Sequence, residues 1–316
     1  MAKQNYVIFN PEGGLGKIIA STAIIKYIEK KYPDHKIIIV CPWAEVYLNN
    51  PRIERVFKSF NTPYFYKDYI LDRDSIVLKG EPYFQPKHMY QSQHLIKSWC
   101  DLFNLEFDGK IEPELYFNSV EREEYAGNIA TQFKKPVLLF QTSGGPYEDE
   151  KSYCWTRDFP IGQAQILTDE LCKTFDIVQV GKKNGKRLNN ATFIDDVQSK
   201  RMLMSLVLRS SKRILIDSCL QHAAAAFGLS STVCWVGTSP KVFGYDIHTN
   251  ILPNAEKLDI PALMPDAQFF DNDFNGPEHD YPYADNNIFN LQSIFDSVMK
   301  TNETNTPQSM KESRKP

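Results

Sequence analysis

The 316-residue chain has no C-x-x-C pair and no histidine–cysteine group at zinc spacing. Its six cysteines, Cys41, Cys100, Cys154, Cys172, Cys219 and Cys234, are scattered singly. Reduced, mostly buried thiols are therefore expected, and neither a structural metal nor a bound cofactor. No apolar run approaches the roughly 18 residues of a membrane-spanning helix. The opening "MAKQNYVIFNP" runs into a strand-like segment with no signal-peptide pattern, so a cytoplasmic location is expected. A net charge of -3 gives no overall basic surface, which argues against nucleic acid as a partner. Solenoid-type repeats are missing too. What remains is 42% apolar and 24% charged, an ordinary globular composition, and a length that points to about two domains.

The pattern alternates. "NYVIFN" is a short apolar strand followed by a glycine turn, and "KIIASTAIIKYIEKKYP" carries apolar residues at helical spacing up to Pro33. "KIIIVCP" is a second buried strand, and "DSIVLKG" another. Strand, helix, strand at this spacing is a βαβ unit, which builds parallel sheets. The aromatics between Trp43 and Trp99 read as domain core, with an acceptor platform as the alternative. From Lys134 the alternation restarts: "KKPVLLFQTSGG", "DIVQVGKKNG", "KRILIDS" and "STVCWVG" are strands with helical patterns between them. The fold class is α/β with two Rossmann-like doubly wound domains, 1–133 and 134–275. "NNIFNLQSIFDSVMK" closes the pattern as a helix within 276–300, "TSPKVFGY" and 264–285 read as loop, and 301–316 as a disordered tail.

The turn "FNPEGGLGKI" has the look of a phosphate loop, yet fails it. A Walker A loop needs a glycine where Pro11 stands and a hydroxyl where Ile18 stands. A dinucleotide fingerprint needs a third glycine where Ile19 stands. Gly13, Gly14 and Gly16 still sit at the carboxyl end of the first strand, where open α/β sheets bind ligands. In the second half, "ILIDSCLQHAAAAFG" puts Asp217 and Ser218 at a strand end, His222 one turn on, and a run of alanines behind it. Ser218 is the expected N-cap, beside free amides suited to a diphosphate. Thr142, Ser143, Gly181 and Lys182 belong to the same strand-end rim.

These residues resemble a family. "DSCLQHAAAAFGLSSTVCWVGTSP" is similar to the donor-site signature of glycosyltransferase family nine, the heptosyltransferase-like enzymes: D-[ST]-G-x-x-H-x-A-A-A-x-G, a strand, then G-x-[ST]-x-P. Asp217, Ser218, His222, Ala224, Ala225, Ala226, Gly228, Gly237, Ser239 and Pro240 fit it, and Cys219 stands where glycine is usual. "GGLGKIIASTAIIKYI" resembles the family's first turn and helix, and Arg157, Phe159 and Pro160 fall in register with its [KR]-x-[WF]-P segment. The resemblance spans Tyr6 to about Tyr245 and is patchy from Thr62 to Phe117.

The resemblance implies a GT-B fold, two such domains facing across a cleft with the last helix crossing back to the first. It implies a glycosyltransferase that moves a sugar, heptose among the candidates, from a nucleotide-sugar donor without a catalytic metal. The acceptor implied is a surface glycan or lipid-linked saccharide, as in lipopolysaccharide biosynthesis, with peripheral contact at the inner membrane surface as a corollary. The donor-binding positions are Thr142, Ser143, Arg157, Gly181, Lys182, Asp217, Ser218 and His222, and the acceptor-side loop is Gly13, Gly14 and Gly16. Where the family has an aspartate as candidate base, this chain has Lys17. Lys17 and Glu12 both stay open as catalytic candidates, and a catalytically silent sugar-nucleotide or glycan-binding protein is the competing reading.

Overall fold

Short apolar runs bury both faces when they lie between helices, and here they pair in parallel as such runs must. The computed structural model describes residues 4–122, 132–144, 147–148, 151–152, 157–195, 199–254 and 287–300. They form two compact units that divide between Ser119 and Val120.

In the first unit, strands β1 (Asn5–Phe9), β2 (His35–Cys41), β3 (Ile53–Lys58) and β4 (Ser75–Leu78) form a parallel sheet in the order β3-β2-β1-β4. Its helices are α1 (Leu15–Ser21), α2 (Ile25–Lys31), α3 (Phe65–Tyr69), α4 (Pro86–Met89) and α5 (Leu95–Leu102). Alternation assigns the faces. Phe9 meets Phe103, just beyond α5, edge to face, while Ile8 and Ile38 face the opposite side, against Phe57 and Tyr69.

The second unit opens with β5 (Val137–Gln141), and β6 (Tyr147–Glu148) and β7 (Lys151–Ser152) form a two-stranded antiparallel ribbon. Then come α6 (Ile161–Leu171), β8 (Asp176–Gly181), β9 (Ala191–Asp195), α7 (Lys200–Arg209), β10 (Lys212–Ile216), α8 (Cys219–Ala226), β11 (Thr232–Cys234), α9 (Pro240–Phe243), β12 (Thr249–Ile251) and α10 (Leu291–Met299). Six of these strands make one parallel sheet, ordered β12-β11-β10-β5-β8-β9. Read from β5, that is the doubly wound order 3-2-1-4-5-6. Successive connections leave β5 in opposite directions, so a crevice opens between the ends of β5 and β10. The first sheet repeats the head of this order and has the same switch between β1 and β4.

Several particulars differ from the sequence reading. The helix expected from Lys17 to Pro33 is broken by a 3-10 turn, Thr22–Ile24. Ser21 and Thr22 return their hydroxyls to the carbonyls of Ile18 and Ile19, which bends a helix. "TSPKVFGY", expected as loop, contains α9, started by the Ser239 hydroxyl accepting from Lys241 N–H. Val120 already belongs to the second unit, where Glu121 is held bidentately by Arg201 of α7. α10 buries Ile294 and Val298 in the second unit's core with Phe140, Phe159 and Leu167. Segment 264–285 and the tail 301–316 lie outside the described residues.

Candidate functional site

At the second unit's switch point, chain ends converge. Phe159 N–H donates to the Thr142 carbonyl at 2.8 Å, and buried Asp158 accepts from Gly144 N–H at 2.9 Å. Arg157 is thereby delivered close enough for its charge to act on Asp217. A side chain at Gly144 would crowd its neighbour, since a Cβ there would stand 3.1 Å from Ser218 Oγ. Its bare backbone is what lets the β5 and β10 turns touch. On the other flank, a Cβ at Gly181 would lie 3.5 Å from Ser143 Oγ. Thr142, Ser143, Arg157, Gly181, Asp217 and Ser218 are thus brought together, and Lys182 begins the turn beyond, its carbonyl accepting from Gly185 N–H at 2.8 Å.

Ser218 occupies the N-cap of α8 in extended conformation, but its hydroxyl does not cap the helix. The start of α8 is the positive end of the helix dipole, where negative charge is favoured. Leu220, Ala223, Ala224 and Ala225 bury the helix against the sheet, the small side chains allowing close approach. Asp217 is buried, and burial pushes its carboxyl above the usual carboxylate range, opposed chiefly by the charge of Arg157.

His222 lies one turn along, and it is buried. Its Nδ1 is 2.8 Å from Tyr245 Oη, with the two rings edge to face at 5.6 Å between centroids. The Gln221 amide nitrogen stands 3.2 Å from His222 Nε2 and donates to the Phe243 carbonyl at 3.0 Å. His248 Nε2 in turn donates to the Gln221 carbonyl at 3.0 Å. Gln221, His222, Tyr245 and His248 thus form a buried polar network that holds the start of α8 against 243–248.

In the first unit the glycine turn packs over the Lys17 side chain. Gly13 adopts φ 116°, open to glycine, and its carbonyl accepts from Trp43 Nε1 at 3.2 Å. Lys17 folds back under it, with Nζ 4.4 Å from the Tyr83 ring centroid. It forms an ion pair with Glu81, donating to Oε1 at 2.6 Å and also to Oε2. The Lys17 side chain is 9% exposed and that of Glu81 35%. Burial lowers the lysine's pKa, and Glu81 and Glu12 resist that shift. Glu12 faces outward, paired with Lys79 at 2.8 Å. Among the described residues, no group of three His, Cys, Asp or Glu is placed to hold a metal, and no helix is long and apolar enough to cross a membrane.

No family model and no curated sequence matches the chain. Solved structures do. A glycosyl transferase family 9 protein from Veillonella parvula DSM 2008 superposes with a TM-score of 0.59 at 12% identity, covering 78% of this chain and 85% of its own. The ADP-heptose lipopolysaccharide heptosyltransferase II of E. coli gives 0.57 at 13% identity, covering 79% and 90%. E. coli heptosyltransferase WaaC, solved with ADP, gives 0.52 at 12% identity, covering 86% and 100%. The chain has the heptosyltransferase fold.

Within that fold, sequence reasoning missed two residues that organise the crevices. Gln179 is buried in β8; its amide nitrogen donates to Thr142 Oγ1 and to the Lys186 carbonyl, each at 2.9 Å, and its oxygen accepts from Leu188 N–H at 2.8 Å. The readable signal was an amide inside the apolar run "IVQV". Glu81 follows β4 at the other switch point, and its signal was an acid just past a strand-ending glycine, "LKGEP". The aromatics read as core divide: Tyr47, Tyr69 and Trp99 are buried, whereas Phe60 and Tyr90 are 105% and 82% exposed.

Proposed function

We propose that the chain is a glycosyltransferase that takes its sugar from a nucleotide-sugar bound at the second unit's switch point. The observation that carries this reading is the convergence of Thr142, Ser143, Arg157, Gly181, Asp217 and Ser218 at the start of α8. A departing nucleoside diphosphate gathers negative charge, and helix amides, hydroxyls and a guanidinium aimed at it stabilise that charge. Arg157 and the α8 amides supply this stabilisation, so transfer proceeds without a divalent cation. Gln179 orients the Thr142 hydroxyl, and Lys182 reaches for the nucleoside side of the donor. His222 acts from below, holding the helix start through Gln221 and Tyr245.

ADP in the WaaC structure and ADP-heptose in the name of heptosyltransferase II make adenine nucleotide-sugars the first donors to try. The acceptor is a glycan or lipid-linked saccharide. Phe60, Tyr64, Phe84 and Tyr90, exposed on loops that follow β3 and β4, offer faces for sugar rings or a membrane surface. The test is nucleoside diphosphate release from ADP-heptose and a panel of UDP- and GDP-sugars, with and without EDTA. Turnover that survives EDTA and falls by roughly a hundredfold in Asp217→Ala is expected. Tight binding without turnover of any donor would make the chain a silent sugar-nucleotide binder, and full activity in Asp217→Ala would move the site elsewhere.

A further inference from the structure

The amino ends of β10, β11 and β12 border a cavity of about 30 Å³, within the second unit and at the opposite edge of its sheet from the donor crevice. β10 is five residues long, so about 15 Å of strand separates the two places. Exposed Ser211 and Thr249 leave the cavity open to solvent. Its lining carries hydroxyls and two cations, Lys212 and Arg213, but no carboxylate. Lys212 Nζ donates to the Lys300 carbonyl, at the end of α10, at 2.6 Å. Arg213, 4% exposed, donates to the carbonyls of Val207 and Ser210 at the end of α7 and to that of Ser230. A helix end offers roughly half a negative charge, so two of them leave about one positive charge unmet. Among the described residues no acid makes up the difference. Burial lowers the pKa of both cations, and the charge of Arg213 lowers that of Lys212 further.

The hydroxyls point to the same kind of occupant. Ser231 lines the cavity and is 6% exposed, and its Oγ has no hydrogen-bond partner. A buried hydroxyl left in that state costs free energy that an acceptor would return. Thr232 Oγ1 and Ser297 Oγ stand 2.7 Å apart, so one donates to the other and the second proton stays unspent. Lys212 keeps two of its three Nζ protons, and Arg213 keeps one on Nη2. We propose that this cavity binds a phosphoryl group, as inorganic phosphate or as the phosphate of a monoester, at a site separate from the donor crevice. A tetrahedral oxyanion accepts hydrogen bonds in every direction, which suits a place whose unspent groups are donors beside uncompensated positive charge. The open mouth leaves room outside for the organic part of an ester. Occupancy ties α10 to β10 and β11 through Ser297, Lys212 and Thr232, so the ligand stabilises the second unit. The glycosyltransferase reading is independent of this site, which uses none of its residues.

The test follows thermal unfolding of the full chain in rising inorganic phosphate, with ionic strength held constant by sodium chloride. At a tenfold excess over Kd the melting temperature is expected to rise by roughly 3–5 °C. Lys212→Met and Ser231→Ala are each expected to weaken phosphate by roughly tenfold, and Lys212→Arg to keep most of the response. Each variant's melting temperature without phosphate shows that it folds. Arg157→Gln, altered in the donor crevice, is expected to respond in full. Glycerol 3-phosphate separates the two sources: a response at least as large identifies the esterified group, and a response to phosphate alone the free ion, and either supports the site. No rise with phosphate, or an equal rise with chloride, would overturn the proposal. So would a rise that survives both Lys212→Met and Ser231→Ala, and one that disappears in Arg157→Gln would assign the phosphate to the crevice instead.

Discussion

At residue 13 the backbone turns through φ 116°, and a Cβ there would stand 2.9 Å from Lys17 Cδ. Gly13→Ala combines backbone strain with displacement of Lys17, so urea unfolding should show a loss of about 1–3 kcal/mol at an unchanged m-value. An unaltered midpoint would mean the turn relaxes freely. Gln179 satisfies one donor and two acceptors from the sheet interior, and Gln179→Leu leaves the Leu188 amide buried and unmet. A loss of roughly 1–3 kcal/mol is expected, together with weaker donor binding because Thr142 is released. At this scale the sequence was legible in part. Asp217, Ser218 and the glycines could be found because strand-end turns announce them. Gln179 and Glu81 could not be assigned, since their roles depend on partners 37 and 64 residues away.

Among the elements, the strands of the two parallel sheets that escaped the sequence reading share one trait. β3, β9 and β12 are all sheet edges. An edge strand is half exposed and carries polar residues, as "IERVFK", "ATFID" and "TNI" do, so it lacks the continuous apolar run that marked β1, β2, β5 and β10. Arg213 shows what joins elements. It is buried in β10 and donates to the carbonyls of Val207, Ser210 and Ser230, tying the end of α7 to the loop before β11, and burial lowers its pKa to about 10. Arg213→Met fills the space but strands those carbonyls, and a loss of at least about 2 kcal/mol in chemical denaturation is expected. Unchanged stability would show that water replaces the guanidinium.

For the whole molecule, two buried groups give opposite pH signatures. His248 stays neutral because burial lowers its pKa to about 4 from an ordinary 6.5. Its contribution is complete above pH 6.5 and is lost as pH falls toward 4, by about 3 kcal/mol at 1.36 kcal/mol per unit. Asp217 runs the other way: with its folded pKa raised, stability falls as pH rises from the ordinary carboxylate value through the raised one. Unfolding curves between pH 4 and 7 should therefore lose about half of their histidine-linked acid-side slope in His248→Asn, since burial also lowers His88 to about 4, while Asp217→Asn removes the opposing slope and gains stability at pH 7. Parallel curves for all three proteins would contradict both assignments.

The alternation of apolar and amphipathic segments made two doubly wound units readable. The packing of α10 was hidden, because an amphipathic helix does not state which core it completes. The central claim is that the crevice between β5 and β10 holds a nucleotide-sugar, and thermal unfolding with ADP-heptose tests it most directly. At a hundredfold excess over Kd the melting temperature should rise by roughly 5–10 °C, and this rise should vanish in Asp217→Ala and shrink in Arg157→Gln. An equal rise in all three proteins would place the nucleotide elsewhere and contradict the account.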